Sequence, residues 1–153
     1  MIYKRNCLYF RGDIPCKPHK ELGVHCQDCE HFSEIKGRIL IIKLGAIGDV
    51  IRTTPLLHKI KLEYPNHEVW WLTYYPEVVP SSVHKVLKYN LDSVLILEQI
   101  NFDIAINLDK DYQAAALMNR INSVKKYGFG FANGRPIPLD EKAESKYLTG
   151  LFD

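Results

Sequence analysis

Asp49 stands where a carboxylate can do chemistry. It directly follows Gly48 in the stretch RILIIKLGAIGDVIRTTP, residues 38–55. A side chain there can take a proton from an attacking hydroxyl, as a general base does. The competing reading is that Asp49 simply caps the helix that begins beside it. A helix N-terminus favours negative charge, which keeps such a carboxylate ionised and makes it a weak base. Gly45 and Gly48 let the backbone bend sharply or approach a ligand closely. Lys43 and Arg52 flank the turn and suit an anionic ligand such as a carboxylate or phosphate; the alternative for both is a solvated surface charge.

Two phosphate loops fail at this turn. A dinucleotide fingerprint needs G-x-G-x-x-G with an acid about 20 residues on. Here the glycines are spaced G-x-x-G, and the next apolar stretch ends in Thr73, Tyr74 and Tyr75. A P-loop closes on G-K-[ST], whereas Gly48 is followed by Asp49, which would repel a phosphate.

A second concentration of reactive groups lies in residues 1–36. Cys7, Cys16, Cys26 and Cys29 are all the cysteines of the chain, and His19, His25 and His31 lie among them. Cys26 and Cys29 form a C-x-x-C knuckle that can place two sulfurs on one ion; the other two are spaced more loosely than in a zinc ribbon. Four thiolates suit tetrahedral zinc, and they suit an iron–sulfur cluster as well. The other readings are unlinked thiols packed as small apolar groups and, last, disulfides. Zinc is the first expectation, because the segment has too few apolar residues for a core of its own and a small segment needs a staple.

The elements that must position these groups alternate. Arg38–Lys43 reads as a buried parallel strand. A helix follows from Asp49 to Tyr64, kinked or divided at Pro55. Glu68–Thr73 reads as a strand, with Trp70 and Trp71 on opposite faces. Ser82–Tyr89 reads as a short helix, Ser93–Leu97 and Asp103–Leu108 as strands, and Asp111–Ile121 as a helix. Lys125–Phe131 reads as a strand, Asn133 to Pro136 as a loop, and Asp140–Asp153 as a helix. Strands separated by helices predict an α/β fold with a doubly wound, mostly parallel sheet. The expected division is a Cys-rich, metal-stapled extension over residues 1–36 and a Rossmann-like domain over 37–153.

The stretch around Asp49 resembles the opening of glycosyltransferase family 9, the lipopolysaccharide heptosyltransferases. The matching positions are Ile39 to Ile42, Lys43, Gly48, Asp49, Val50, Thr53, Pro55 and Leu57. Phe102 to Leu108 (FDIAINL), Ala114 to Ile121 (AAALMNRI) and Lys126 to Phe131 (KYGFGF) are also similar. The resemblance covers roughly residues 38–140 and leaves the cysteine segment unexplained. It implies a GT-B design, with the acceptor on the N-terminal domain and a nucleotide-sugar such as ADP-heptose on a C-terminal one. It also implies that Asp49 is the catalytic base. Only the first half is present, so a fragment of a longer protein is expected. The family often carries Gln-Gly after the fourth strand, where this chain has LDKD, residues 108–111; that departure bears on the acceptor.

Composition narrows the rest. The chain has 153 residues, is 46% hydrophobic and 25% charged, and carries a net charge of +2. Charge alone therefore does not argue for nucleic acid, although Lys4, Arg5, Arg11, Lys17 and Lys20 near the cysteines raise a zinc-containing nucleic-acid binder as a weaker reading. Asp13, Glu21, Asp28 and Glu30 dilute that patch. No apolar run is long enough to span a bilayer, and MIYKRNCLYFRGD lacks a signal-peptide apolar region. A cytoplasmic protein is expected, with peripheral contact at the inner membrane and an anionic saccharide or glycolipid acceptor. The reading from a different class is a non-catalytic, metal-stapled module that binds a saccharide or a protein.

Overall fold

The computed structural model describes residues 2–152. The strands are β1 (Gly37–Ile42), β2 (His67–Thr73), β3 (Lys85–Lys88), β4 (Asn101–Asn107), β5 (Asn122–Ala132) and β6 (Arg135–Pro138). The helices are α1 (Lys17–Leu22), α2 (Ile47–Thr53), α3 (Leu56–Glu63), α4 (Leu91–Glu98), α5 (Tyr112–Arg120) and α6 (Glu141–Phe152). The strands form one sheet in the order β3-β2-β1-β4-β5-β6. All pairings are parallel except β5–β6. This is the doubly wound α/β arrangement expected from the alternating pattern.

β1 is central because its residues are apolar on both faces. Ile39, Leu40, Ile41 and Ile42 are all fully buried. Leu40 and Ile42 join Leu72, Ala105, Leu117 and Met118 in one core layer. Ile39 and Ile41 join Val50, Ile60, Val69 and Trp71 in the other. Trp70 packs against the first layer and Trp71 lies within the second, so the pair does straddle the sheet.

The helix expected from Asp49 to Tyr64, kinked or divided at Pro55, is divided there: α2 and α3 meet at Thr54 and Pro55. Three readings are corrected. The short helix expected over Ser82–Tyr89 is instead turn and the edge strand β3. Ser93–Leu97, expected as a strand, lies inside α4, whose start is fixed by the Asn90 side chain accepting from the Ser93 N–H at 2.9 Å. The expected loop at Asn133 to Pro136 is a tight hairpin. Asn133 and Gly134 adopt φ of 53° and 75°, and Pro136 already belongs to β6. The final helix is present as α6; Asp153 lies outside the described residues.

Two fixed points lock the far end of the sheet. Gly128 has φ 92°, and a Cβ there would overlap the Asn107 carbonyl oxygen. Only glycine lets β5 pass this close to β4. The Gly128 N–H donates to Asp140 Oδ2 at 2.6 Å, and Asp140 Oδ1 accepts from the Ala143 N–H at 2.9 Å. Burial pushes the Asp140 carboxyl up, but the N–H groups of Gly128, Ala143 and Lys142 outweigh it and hold the group below its ordinary value.

Candidate active site at the carboxyl ends of β1 and β4

The chain runs β1, β2, β3 to one side of the sheet, then returns to begin β4 on the other side of β1. The carboxyl ends of β1 and β4 therefore make a topological switch point, where open α/β sheets hold their ligands. The loop from Lys43 to Ala46 emerges there. It is held from both flanks. From the β2 side, Tyr74 N–H donates to the Leu44 carbonyl at 2.9 Å and Thr73 Oγ1 donates to the same oxygen at 3.2 Å. From the β4 side, the Asp109 carboxylate accepts from the Leu44 N–H and from the Lys43 ammonium. Lys43 Nζ also donates to the Gly45 carbonyl at 2.6 Å.

Lys43 and Asp109 are both buried, at 7% and 5% exposure. This corrects the expectation that Lys43 meets an anionic acceptor. Its ammonium is turned inward and occupied by Asp109 and Gly45. Its charge holds the loop, because a buried cation must be paired. Asp109 is in turn placed by Asn107, whose Oδ1 accepts from the Asp109 N–H at 3.0 Å and whose Nδ2 donates to the Phe129 carbonyl at 2.8 Å.

Asp49 lies in the first turn of α2 and is exposed. The N-cap position belongs to Ala46, and no side chain caps this helix. Capping is therefore not what the Asp49 carboxylate does here. Its neighbour is Arg52, whose Nη1 stands 3.7 Å from Asp49 Oδ1, with the Arg52 side chain 85% exposed. A surface pair this long and this wet adds little to stability, so both groups are available to a ligand.

The two glycines differ. A Cβ at Gly45 would rest at 3.5 Å on Tyr75 and 3.6 Å on Tyr74, an ordinary packing distance. A Cβ at Gly48 would meet nothing within 4 Å. Neither neighbours nor a left-handed φ require glycine at position 48, so the space above its backbone is open.

Side chains that motif reading did not single out complete the shelf. Tyr74 and Tyr75 follow β2, and Tyr89 follows β3. Tyr74 packs edge-on against both, with ring centroids 6.4 and 5.5 Å apart. Burial, with Tyr74 adding, pushes the Tyr89 phenol above its ordinary range. Gln113 Nε2 donates to the Tyr74 hydroxyl at 2.9 Å. The signal for them was positional: each directly follows a strand or opens α5 at the same sheet edge. Asp49 lines neither of two cavities of about 480 and 490 Å³, one beside Leu8, His58 and His84 and one between α3 and α6 that reaches Asn107 and Leu108 at the carboxyl end of β4. The corner itself is an open shelf.

The four cysteines lie at the opposite edge of the sheet. They are free, with Cys7 buried and Cys16, Cys26 and Cys29 half-buried, and together they line one small cavity. Among the described residues, no group of three or more His, Cys, Asp or Glu side chains is already assembled to hold a metal, and no helix is long and apolar enough to cross a membrane.

No family model matches the sequence, and a comparison with curated proteins found no match. Solved structures do resemble it. A glycosyl transferase family 9 structure from Veillonella parvula DSM 2008 superposes with a TM-score of 0.54 at 20% identity, covering 76% of this chain and 40% of that one. E. coli heptosyltransferase WaaC with ADP gives a TM-score of 0.49 at 21% identity, covering 60% of this chain and 36% of that one. The chain thus spans well under half the length of these proteins. The family 9 structure shares its fold with this chain, in agreement with the resemblance of the Asp49 stretch to the same family.

Proposed function

We propose that this chain is the acceptor-side part of an inverting glycosyltransferase of the family 9 type. In this reading the Asp49 carboxylate takes the proton of an acceptor hydroxyl as that oxygen attacks the anomeric carbon of a nucleotide-diphosphate sugar. A C–O bond forms at the anomeric carbon, the bond to the diphosphate breaks, and the nucleoside diphosphate leaves with the electron pair. Attack opposite the leaving group inverts the anomeric centre.

The observation that carries this reading is an exposed carboxylate, not engaged in capping, in the first turn of the helix that follows a braced loop at the switch point, beside a glycine that the fold itself does not require. Arg52 would meet an anionic group of the acceptor, and Gly45 and Gly48 would allow close backbone approach. Lys43 and Asp109 would act as positioning residues. A heptose-like donor such as ADP-heptose would sit on a second domain, without which the chain is inactive. The acceptor would be a lipopolysaccharide-core saccharide or glycolipid, reached at the cytoplasmic face of the inner membrane.

The second reading, a saccharide- or protein-binding module without catalysis, is favoured by the openness of the shelf. Incubating the complete polypeptide, as its source makes it, with nucleotide-heptose donors and core-type acceptors separates the two. The glycosyltransferase reading expects a glycoside of inverted anomeric configuration. Acceptor binding without product under any nucleotide-sugar would support the binding module.

A further inference from the structure

We propose that Cys7, Cys16, Cys26 and Cys29 form a mononuclear tetrathiolate zinc site that staples the N-terminal segment to itself, remote from the candidate active site. The inference does not depend on the glycosyltransferase reading.

Three separate pieces of backbone bring the four cysteines around one cavity, where their side chains are not already gathered into a metal-binding group. Cys7 sits in a turn, its N–H donating to Lys4 and its carbonyl accepting from Phe10, and it bridges to Glu34. Cys16 immediately precedes α1. Cys26 opens a short 3-10 turn that ends at Cys29. All four line a single cavity of about 20 Å³, otherwise walled by Lys4, Tyr9, Phe10, Pro18 and Phe32. Four cysteines around one small cavity suit a single tetrahedral ion with sulfurs about 2.3 Å away. On this proposal the ion would draw the four side chains inward, since they are not assembled around it beforehand.

The surroundings match the chemistry. None of the three nearby histidines lines the cavity, and His19 is engaged elsewhere, its Nδ1 donating to the Val24 carbonyl at 2.9 Å. Four thiolates around a divalent ion leave net negative charge, and the Lys4 ammonium, seated 4.5 Å over the Phe32 ring, stands at the same cavity to offset it. The segment has little else to hold it. Tyr3, Tyr9, Ile14, Leu22 and Phe32 are exposed, and segments this small depend on a cross-link or a metal. Its neighbours on the sheet are the amino ends of the strands: Arg5, Phe10 and Arg11 share a cleft with Arg38, Glu68 and Lys85. Asp49 is at the other edge, so the metal is structural.

The test uses the full chain, purified under reducing conditions. Elemental analysis should find about one zinc per chain. Exchange with Co²⁺ should give the visible ligand-field and thiolate charge-transfer bands of a tetrahedral tetrathiolate centre. Removing the ion should speed proteolysis between Cys7 and Glu34 by tenfold or more, in keeping with metal-coupled folding, while residues 37–152 stay folded. Cys26→Ser should abolish stoichiometric binding; if that variant does not fold, Co²⁺ titration of the unaltered chain decides. Failure to take up Zn²⁺ or Co²⁺, acid-labile sulfide with iron, or two disulfides in the purified protein would each overturn the assignment.

Discussion

Removing the Asp109 carboxylate would leave the Lys43 ammonium buried without its charge partner and the Leu44 N–H without its acceptor. Breaking a buried pair by deleting one member costs about 3–5 kcal/mol. Asp109→Ala should therefore lower the free energy of unfolding by about that amount in urea titration, whereas removal of the exposed Arg52 charge should change it by less than about 1 kcal/mol. An Asp109→Ala chain as stable as the parent would show that the pair does not brace the loop. Lys43 was visible in the sequence as a basic residue beside the turn, but its partner was not. The two are 66 positions apart, and only the parallel pairing of β1 with β4 brings them together. The same holds for Gly128, whose need for glycine arises from the Asn107 carbonyl on the neighbouring strand.

At the scale of elements, the apolar run at β1 and the helix-forming alanines of α5 were legible, because burial and propensity agree there. The stretch from Ser82 to Leu97 was not. A short apolar run such as SVLIL fits a strand or a buried helix equally well, and Asn90 decides between them by capping Ser93. The neighbouring KVLK is too short to show a period and becomes a strand by pairing with β2. The join between β5 and α6 rests on Asp140, which gives it a pH dependence. Its folded value lies below the ordinary carboxyl value, so its contribution is complete above about pH 4 and is lost as pH falls through the lower folded value. Asp140→Asn should cost about 0.5–2 kcal/mol at neutral pH. Its thermal stability should also fall less steeply than the parent's between about pH 4 and pH 2. Parallel acid profiles for the two chains would contradict this.

Across the whole molecule, the sheet separates two candidate sites. The amino edge carries the cysteine segment and the carboxyl edge carries Asp49, in the first turn of α2 after the braced loop. The strand, glycine turn and helix start around Asp49 were legible in the sequence because they are contiguous in the chain. The tyrosines and Gln113 escaped notice because they converge only through the sheet. The central claim is that the Asp49 carboxylate takes the acceptor's proton, and Asp49→Asn tests it most directly because the amide keeps the size and loses the base. Turnover in the complete polypeptide should fall by about 10²–10⁴-fold, with the unfolding midpoint and acceptor affinity retained. Turnover equal to that of the parent would contradict the account.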